Sequence, residues 1–345
     1  MKIGFFLNFE KSLGGGHFWR CFNLAKKLRK RDRKFYFFSN IKDKKILAIL
    51  KKNNFKYVEI FEKDKKKFLK KLIKKIISLK IINLIIDSYK INYYDEKKIK
   101  PIIKKLIVID DHVDKRHYCD LLINNNFLSK ESQKKIKEKN PNINLAIGHN
   151  YSIVNTDKII KSPYFRKPKN ITNIFVFFGS SDNTDETSKI IKITNFFPFI
   201  KFNIIIGSFN KKSLEFREIK RIKKNIEFFF NLDNSQIINL IKKNDLAIGA
   251  GGVNMIERLY FNLPSFVICV SNNQKNATQY LQNMNSILYL GKSKNVSSQK
   301  IGTELKSLIE NNKKFEILKK NTLKVSLSLN SKNLITKKLN SVLIK

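Results

Sequence analysis

Short, continuous apolar runs alternate along the chain with lysine-studded amphipathic ones. Residues 3–7 form the first run. After a glycine-rich break, Phe18, Cys21, Phe22, Ala25 and Leu28 recur at helical spacing, which predicts a helix from about His17. Residues 34–39 read as a second strand and 64–79 as a helix with Phe68, Leu72 and Ile76 inward. Two more strands follow, 81–86 stopping at Asp87 and 106–109 stopping at Asp110 and Asp111. A second series starts near residue 172: 174–178 ends at Gly179, 202–206 at Gly207, 246–248 at Gly249, and 266–270 precedes Asn272. Apolar strands without polar alternation, set between amphipathic helices, belong to parallel sheets covered on both faces. The pattern predicts an α/β chain of two Rossmann-like domains facing a central cleft. Their expected bounds are 1–150 and 172–297, with a linker at 151–171 and a Lys-rich helical tail at 298–345.

Open parallel sheets bind ligands at the carboxyl ends of their strands. That rule selects the 14–20 loop, Asp87-Ser88-Tyr89, Asp110-Asp111-His112, Gly179-Ser180-Ser181-Asp182 and residues 249–257, all expected to line the cleft. In the last of these, a buried strand runs into Gly249-Ala250-Gly251-Gly252 and then a helix from Val253 or Asn254. Bare glycines let a ligand approach the backbone. The unpaired first-turn N–H groups and the helix dipole then favour a phosphate or diphosphate. Glu257, on the face of Val253, can accept two ribose hydroxyls; otherwise it is a solvated carboxylate beside a tight turn. Gly15 and Gly16 leave room for a sugar beside His17, the one side-chain type that exchanges protons near neutral pH. The alternative for His17 is a helix cap or a packed ring. Arg20, one turn later, pairs either with an acidic strand end or with phosphate.

Several of these positions keep two readings. Asp182, with Gly179 and Ser181, either caps the next helix or faces a nucleotide. Asn273 and Gln274 precede a helix and act as an N-cap or as amide contacts to diphosphate or sugar. Asp87 and Tyr89 face a ligand at the end of their strand, or form an Asx-type turn. The Asp110, Asp111, His112 and His117 cluster fits no common metal spacing and reads as substrate hydrogen bonding and loop structure. No D-x-D pair occurs, so catalysis without a metal or other cofactor is expected.

The formal charge of +42 would ordinarily point to nucleic acid or an anionic surface. Of the 70 basic residues, however, only nine are arginine, and Lys, Asn, Ile and Phe are all abundant. That bias follows A/T-rich codons, and base readers depend on Arg. A solvated basic surface is expected, with no dedicated nucleic-acid face. Cys21, Cys119 and Cys269 form no C-x-x-C pair, which suggests free, mostly buried thiols in a reducing cytoplasm. The first eight residues turn polar too soon for an export signal, and no apolar run reaches the roughly 18 residues of a membrane span.

The stretches "GGGHFWR", "LIVIDDHVDKRHYCDLLINNN", "IGHNYSIV", "VFFGSSDNT", "DLAIGAGGVNMIERLYFNLP" and "NNQ" occur in this order over residues 1–292. Together they resemble the UDP-sugar hydrolases of pseudaminic acid biosynthesis and a related spore-coat polysaccharide group, enzymes of the GT-B type. Two positions depart from that pattern, His149 where Pro usually follows the glycine, and Ser180 where a second Gly is common. The resemblance implies removal of UDP by water from a 2,4-diacetamido-2,4,6-trideoxy sugar. His17 would be the general base, with Gly15, Gly16, Arg20, Asp87, Tyr89, Asp111, Asn273 and Gln274 around the sugar. Gly179, Ser181, Asp182, Gly251, Gly252, Val253, Asn254 and Glu257 would hold the nucleotide. The implied enzyme is a cytoplasmic monomer. A GT-B glycosyltransferase using the same donor is the alternative, and a basic nucleic-acid-binding protein a more distant one.

Overall fold

The computed structural model describes residues 1–9, 15–154, 170–219, 224–331 and 334–343. Gly14 and most of the expected linker lie outside these residues. The chain forms two compact units.

The first unit carries β1 (Lys2–Leu7), α1 (Gly16–Lys27), β2 (Lys34–Ser39), α2 (Lys44–Lys52), β3 (Lys56–Glu59), α3 (Lys65–Ser78), β4 (Asn83–Asp87), α4 (Tyr93–Ile99), β5 (Lys105–Ile109), β6 (Leu121–Asn124), α5 (Lys130–Lys139) and β7 (Asn144–Ile147). Its seven strands are all parallel, in the order β3-β2-β1-β4-β5-β6-β7. Phe6, Phe38, Leu84, Ile86 and Val108 form the core with Leu72 and Ile76 of α3. The Asp64 carboxylate accepts from Lys67 N–H and starts α3 where the pattern placed it. Leu7 stands opposite Asp87 in the β1–β4 register, so the carboxyl ends of β1 and β4 lie side by side where strand order reverses.

The second unit carries β8 (Asn173–Phe177), α6 (Glu186–Ile193), β9 (Lys201–Ile206), α7 (Ser213–Ile219), β10 (Ile226–Phe230), α8 (Asn234–Lys243), β11 (Leu246–Ala250), α9 (Val253–Tyr260), β12 (Ser265–Cys269), α10 (Lys275–Asn283), β13 (Leu288–Lys292), α11 (Ser298–Glu310) and α12 (Asn312–Ser331). Its sheet is again parallel, in the order β10-β9-β8-β11-β12-β13, with the reversal between β8 and β11. Helix α12 packs on α9, and Ser326 and Asn330 both donate to the Tyr260 carbonyl, satisfying an acceptor at the C-terminal end of α9.

Five strands, β3, β6, β7, β10 and β13, have no counterpart in the hydrophobic pattern. Four of them are sheet edges, where one side faces solvent and polar residues interrupt the run. The 298–345 stretch, expected as one helical tail, is divided. Helices α11 and α12 belong to the second unit, whereas α13 (Ile335–Val342) belongs to the first. There Leu334 N–H donates to the Asn150 carbonyl and Arg33 to Asn340.

Candidate active site

In the first unit the glycine-rich loop has a specific geometry. Gly15 caps α1 in a left-handed conformation (φ 67°), which favours glycine. Among the described residues, a Cβ at Gly16 would meet nothing within 4 Å, so on their side the backbone there is open to a ligand. His17 occupies the first turn of α1, and its Nδ1 lies 2.6 Å from Asp87 Oδ1. A carboxylate at that distance accepts a hydrogen bond from Nδ1–H and so turns the Nε2 lone pair away from Asp87.

The Asp87 carboxylate is turned to partners within the protein. Its side chain is fully buried, and Arg20 grips both oxygens, Nε at 2.7 Å and Nη2 at 2.6 Å. Burial opposes its ionisation, but the Arg20 guanidinium and the His17 ring outweigh burial and hold the carboxyl well below the usual range. Asp87 therefore fixes the His17 ring. Arg20 takes the acidic alternative over phosphate, since its Nη1 also bonds Asp111 at 2.7 Å. Asp111 in turn accepts from Tyr89 (3.0 Å) and Asn126 (2.9 Å). Its role is to hold Tyr89, whose ring packs edge-on against His17 with centroids 4.9 Å apart.

The opposite flank of Tyr89 carries His112, again with ring centroids 4.9 Å apart. His112 repeats the His17 arrangement: Nδ1 lies 2.6 Å from Asp110 Oδ1, and that hydrogen bond raises the pKa of the half-buried ring. Two imidazoles, each oriented through Nδ1 by its own aspartate, thus flank one tyrosine. The pattern assigns His112 to substrate hydrogen bonding and loop structure and gives no place to Asn126, although "INNN" stands at the end of β6. Among the described residues, no three His, Cys, Asp or Glu side chains are placed to hold a metal ion.

In the second unit the loop Gly249–Gly252 runs into α9, whose N-cap has no side-chain partner. The three glycines differ. A Cβ at Gly249 would lie 1.9 Å from Arg258 Nη1 and 2.5 Å from the Phe177 carbonyl, and one at Gly251 would lie 2.7 Å from Thr278 Oγ1. Only Gly252 is uncrowded, with the Gln274 amide nitrogen at 3.5 Å. Gly249 and Gly251 thus make room for neighbouring side chains.

The Gly251 N–H, expected to be free for phosphate, donates to Gln274 Oε1 at 3.2 Å. Gln274 also accepts from Val270 N–H at 3.1 Å, so, standing at the N-cap position of α10, it turns its side chain away from that helix and clamps two strand-end loops. The donors left at the helix start are those of Gly252, Val253 and Asn254. Asn273 is exposed nearby and accepts from Ser271.

Glu257 is buried, accepts one hydrogen bond from Asn254 (2.9 Å), and is raised to about 7 by that burial. It has acceptor capacity to spare, as ribose hydroxyls would need. Gly179 turns with φ 93° at the end of β8, followed by Ser180 and Ser181. Asp182 takes the capping alternative: its oxygens accept from Glu186 and Thr187 N–H and start α6.

No family model matches the chain. It is similar to an uncharacterized protein of Methanocaldococcus jannaschii, 27% identical over 276 residues, which cover 78% of this chain and 55% of that one. The chain thus spans about half the length of that relative. It is also similar to the UDP-2,4-diacetamido-2,4,6-trideoxy-beta-L-altropyranose hydrolase of Campylobacter jejuni, 26% identical over 202 residues, 57% of this chain and 70% of that one. Among solved structures, a UDP-glucosyltransferase from Polygonum tinctorium superposes with a TM-score of 0.72 at 11% identity, covering 99% of this chain and 98% of that one. Seven- and six-stranded parallel sheets in two α/β domains are the fold of the GT-B glycosyltransferases, and this chain has that fold.

Proposed function

We propose that the chain hydrolyses a UDP-linked 2,4-diacetamido-2,4,6-trideoxy hexose to UDP and the free sugar, a step of pseudaminic-acid-type nonulosonate synthesis. The observation that carries the reading is the His17–Asp87 pair beside the open backbone of Gly16, at the point where strand order reverses. The likeness to the Campylobacter hydrolase supports it.

In this mechanism His17 Nε2 takes a proton from water as the water oxygen attacks the anomeric carbon. The bond from that carbon to the diphosphate oxygen breaks, and UDP leaves as an anion. General-base assistance of this kind contributes about 10²–10⁴ in rate. Tyr89, held by Asp111, and His112 line the sugar side. UDP needs no proton to leave but does need its charge stabilised. The N–H groups of Gly252, Val253 and Asn254 and the α9 dipole supply that stabilisation.

The test is product analysis in H₂¹⁸O with donor alone. Free UDP and sugar carrying ¹⁸O at the anomeric position are expected, with activity retained in chelator. Label in the UDP phosphate would refute attack at carbon. UDP release that requires a sugar or lipid acceptor would make the chain a glycosyltransferase, the activity named for its fold neighbours.

A further inference from the structure

Arg258 is fully buried, yet its Nε and Nη1 have no hydrogen-bond partner among the described residues. Its one bond runs from Nη2 to the Ala250 carbonyl at 2.9 Å, inside the glycine loop. Gly249 is glycine because the guanidinium occupies the space a Cβ would need. No ion pair joins Arg258 to Glu257, the next residue on the helix. Burial, only partly offset by that carboxylate, lowers Arg258 to about 9, so it stays a cation at neutral pH.

An unpaired buried charge is a liability, and replacing one by an apolar side chain is often neutral or stabilising. A guanidinium kept in this state, against the loop that opens α9, serves something other than folding. We infer that Arg258 is a fixed cation behind the glycine loop that sets the affinity of the α9 N-terminus for the diphosphate of a nucleotide, acting through the backbone without touching the ligand. The inference rests on the nucleotide site proposed above. Its chemistry follows from placement: a full positive charge adds to the partial charge of the helix start, and the low-dielectric surroundings leave it poorly screened. Arg258 is thus a positioning residue for the anion, and with Glu257 neutralised the uridine moiety should not sense it.

The experiment compares UDP and uridine binding by calorimetry in wild type and in E257Q carrying Arg258, R258M, R258Q or R258K, the E257Q background removing the carboxylate whose ionisation the Arg258 charge also favours. R258Q keeps a donor for the Ala250 carbonyl without the charge, and R258K keeps the charge. In R258M and R258Q the UDP Kd is expected to rise at least tenfold while the uridine Kd stays within twofold, and R258K retains most of the preference for UDP. Equal weakening of both ligands would mean a structural role, and no change in either would remove the charge from the site; both overturn the inference. A wild type that binds UDP no better than uridine would instead refute the nucleotide site itself. If the neutral variants fail to fold, the Arg258 Nε–H resonance of the wild type decides: it should shift with UDP and not with uridine, and no shift with UDP overturns the inference.

Discussion

At His17 the two ring nitrogens have different fates, and the difference comes from Asp87, 70 residues away. The sequence shows a histidine after glycines; it does not show which nitrogen is held. H17A should lower turnover by about 10²–10⁴ with little change in UDP affinity, measured by steady-state kinetics and calorimetry. Unchanged turnover would remove the ring from the chemistry. Arg20 and Arg258 share a lesson. In a chain whose cations are overwhelmingly lysine, both are buried, which suits the weakly hydrated, forked guanidinium. Removing Arg20 leaves Asp87 and Asp111 buried without their cation, so R20A should lose about 3–5 kcal/mol in urea denaturation. Glu257 gives a pH test. Its folded value of about 7 lies above its ordinary one of 4.5, so the folded state holds the proton more tightly. Stability therefore falls as pH rises from about 4.5 to about 7. Ribose hydroxyls need the ionised form, so uridine affinity should rise between pH 6 and 8, and E257Q should flatten that rise. A flat wild-type profile would take Glu257 out of the ribose site.

At the scale of elements, the loop before α9 separates two kinds of glycine that look identical in sequence. G249A would force a Cβ against the Arg258 guanidinium and the Phe177 carbonyl, and overpacking of this kind should cost about 1–3 kcal/mol in thermal or urea unfolding. Among the described residues, the Cβ of G252V would meet only the Gln274 amide, at ordinary contact distance. It should leave the melting temperature near wild type while weakening UDP binding. If G252V binds UDP normally, the phosphates sit elsewhere. The interior strands were legible because burial on both faces writes an unbroken apolar run. The edge strands β3, β7, β10 and β13 were not, because solvent on one side admits Lys, Asn and Glu into the run. The helix starts at Asp64 and Asp182 were legible as caps, since an acidic side chain there bonds backbone within five residues.

Over the whole molecule, the formal charge of +42 is carried mostly by exposed lysines, and exposed ion pairs contribute little. Self-repulsion should dominate, so raising salt from about 10 to about 150 mM, which shortens the screening length from about 30 to about 8 Å, should raise the melting temperature by several degrees. A falling temperature would mean that attractive pairs prevail. Among the described residues no helix is long and apolar enough to cross a membrane. What the sequence determined by itself was local: the repeat of apolar strand and amphipathic helix, the two parallel sheets it implies, and the glycine and acidic residues at the strand ends. Backbone periodicity and capping depend on neighbours a few residues apart, so they can be read along the chain. What tertiary structure alone decided was the assignment of each polar group. Asp87 went to Arg20 and His17, the Gly251 N–H to Gln274, and the Gly249 space to Arg258. Hydrogen bonds and burial act between groups brought together through space, and no pattern along one strand records them.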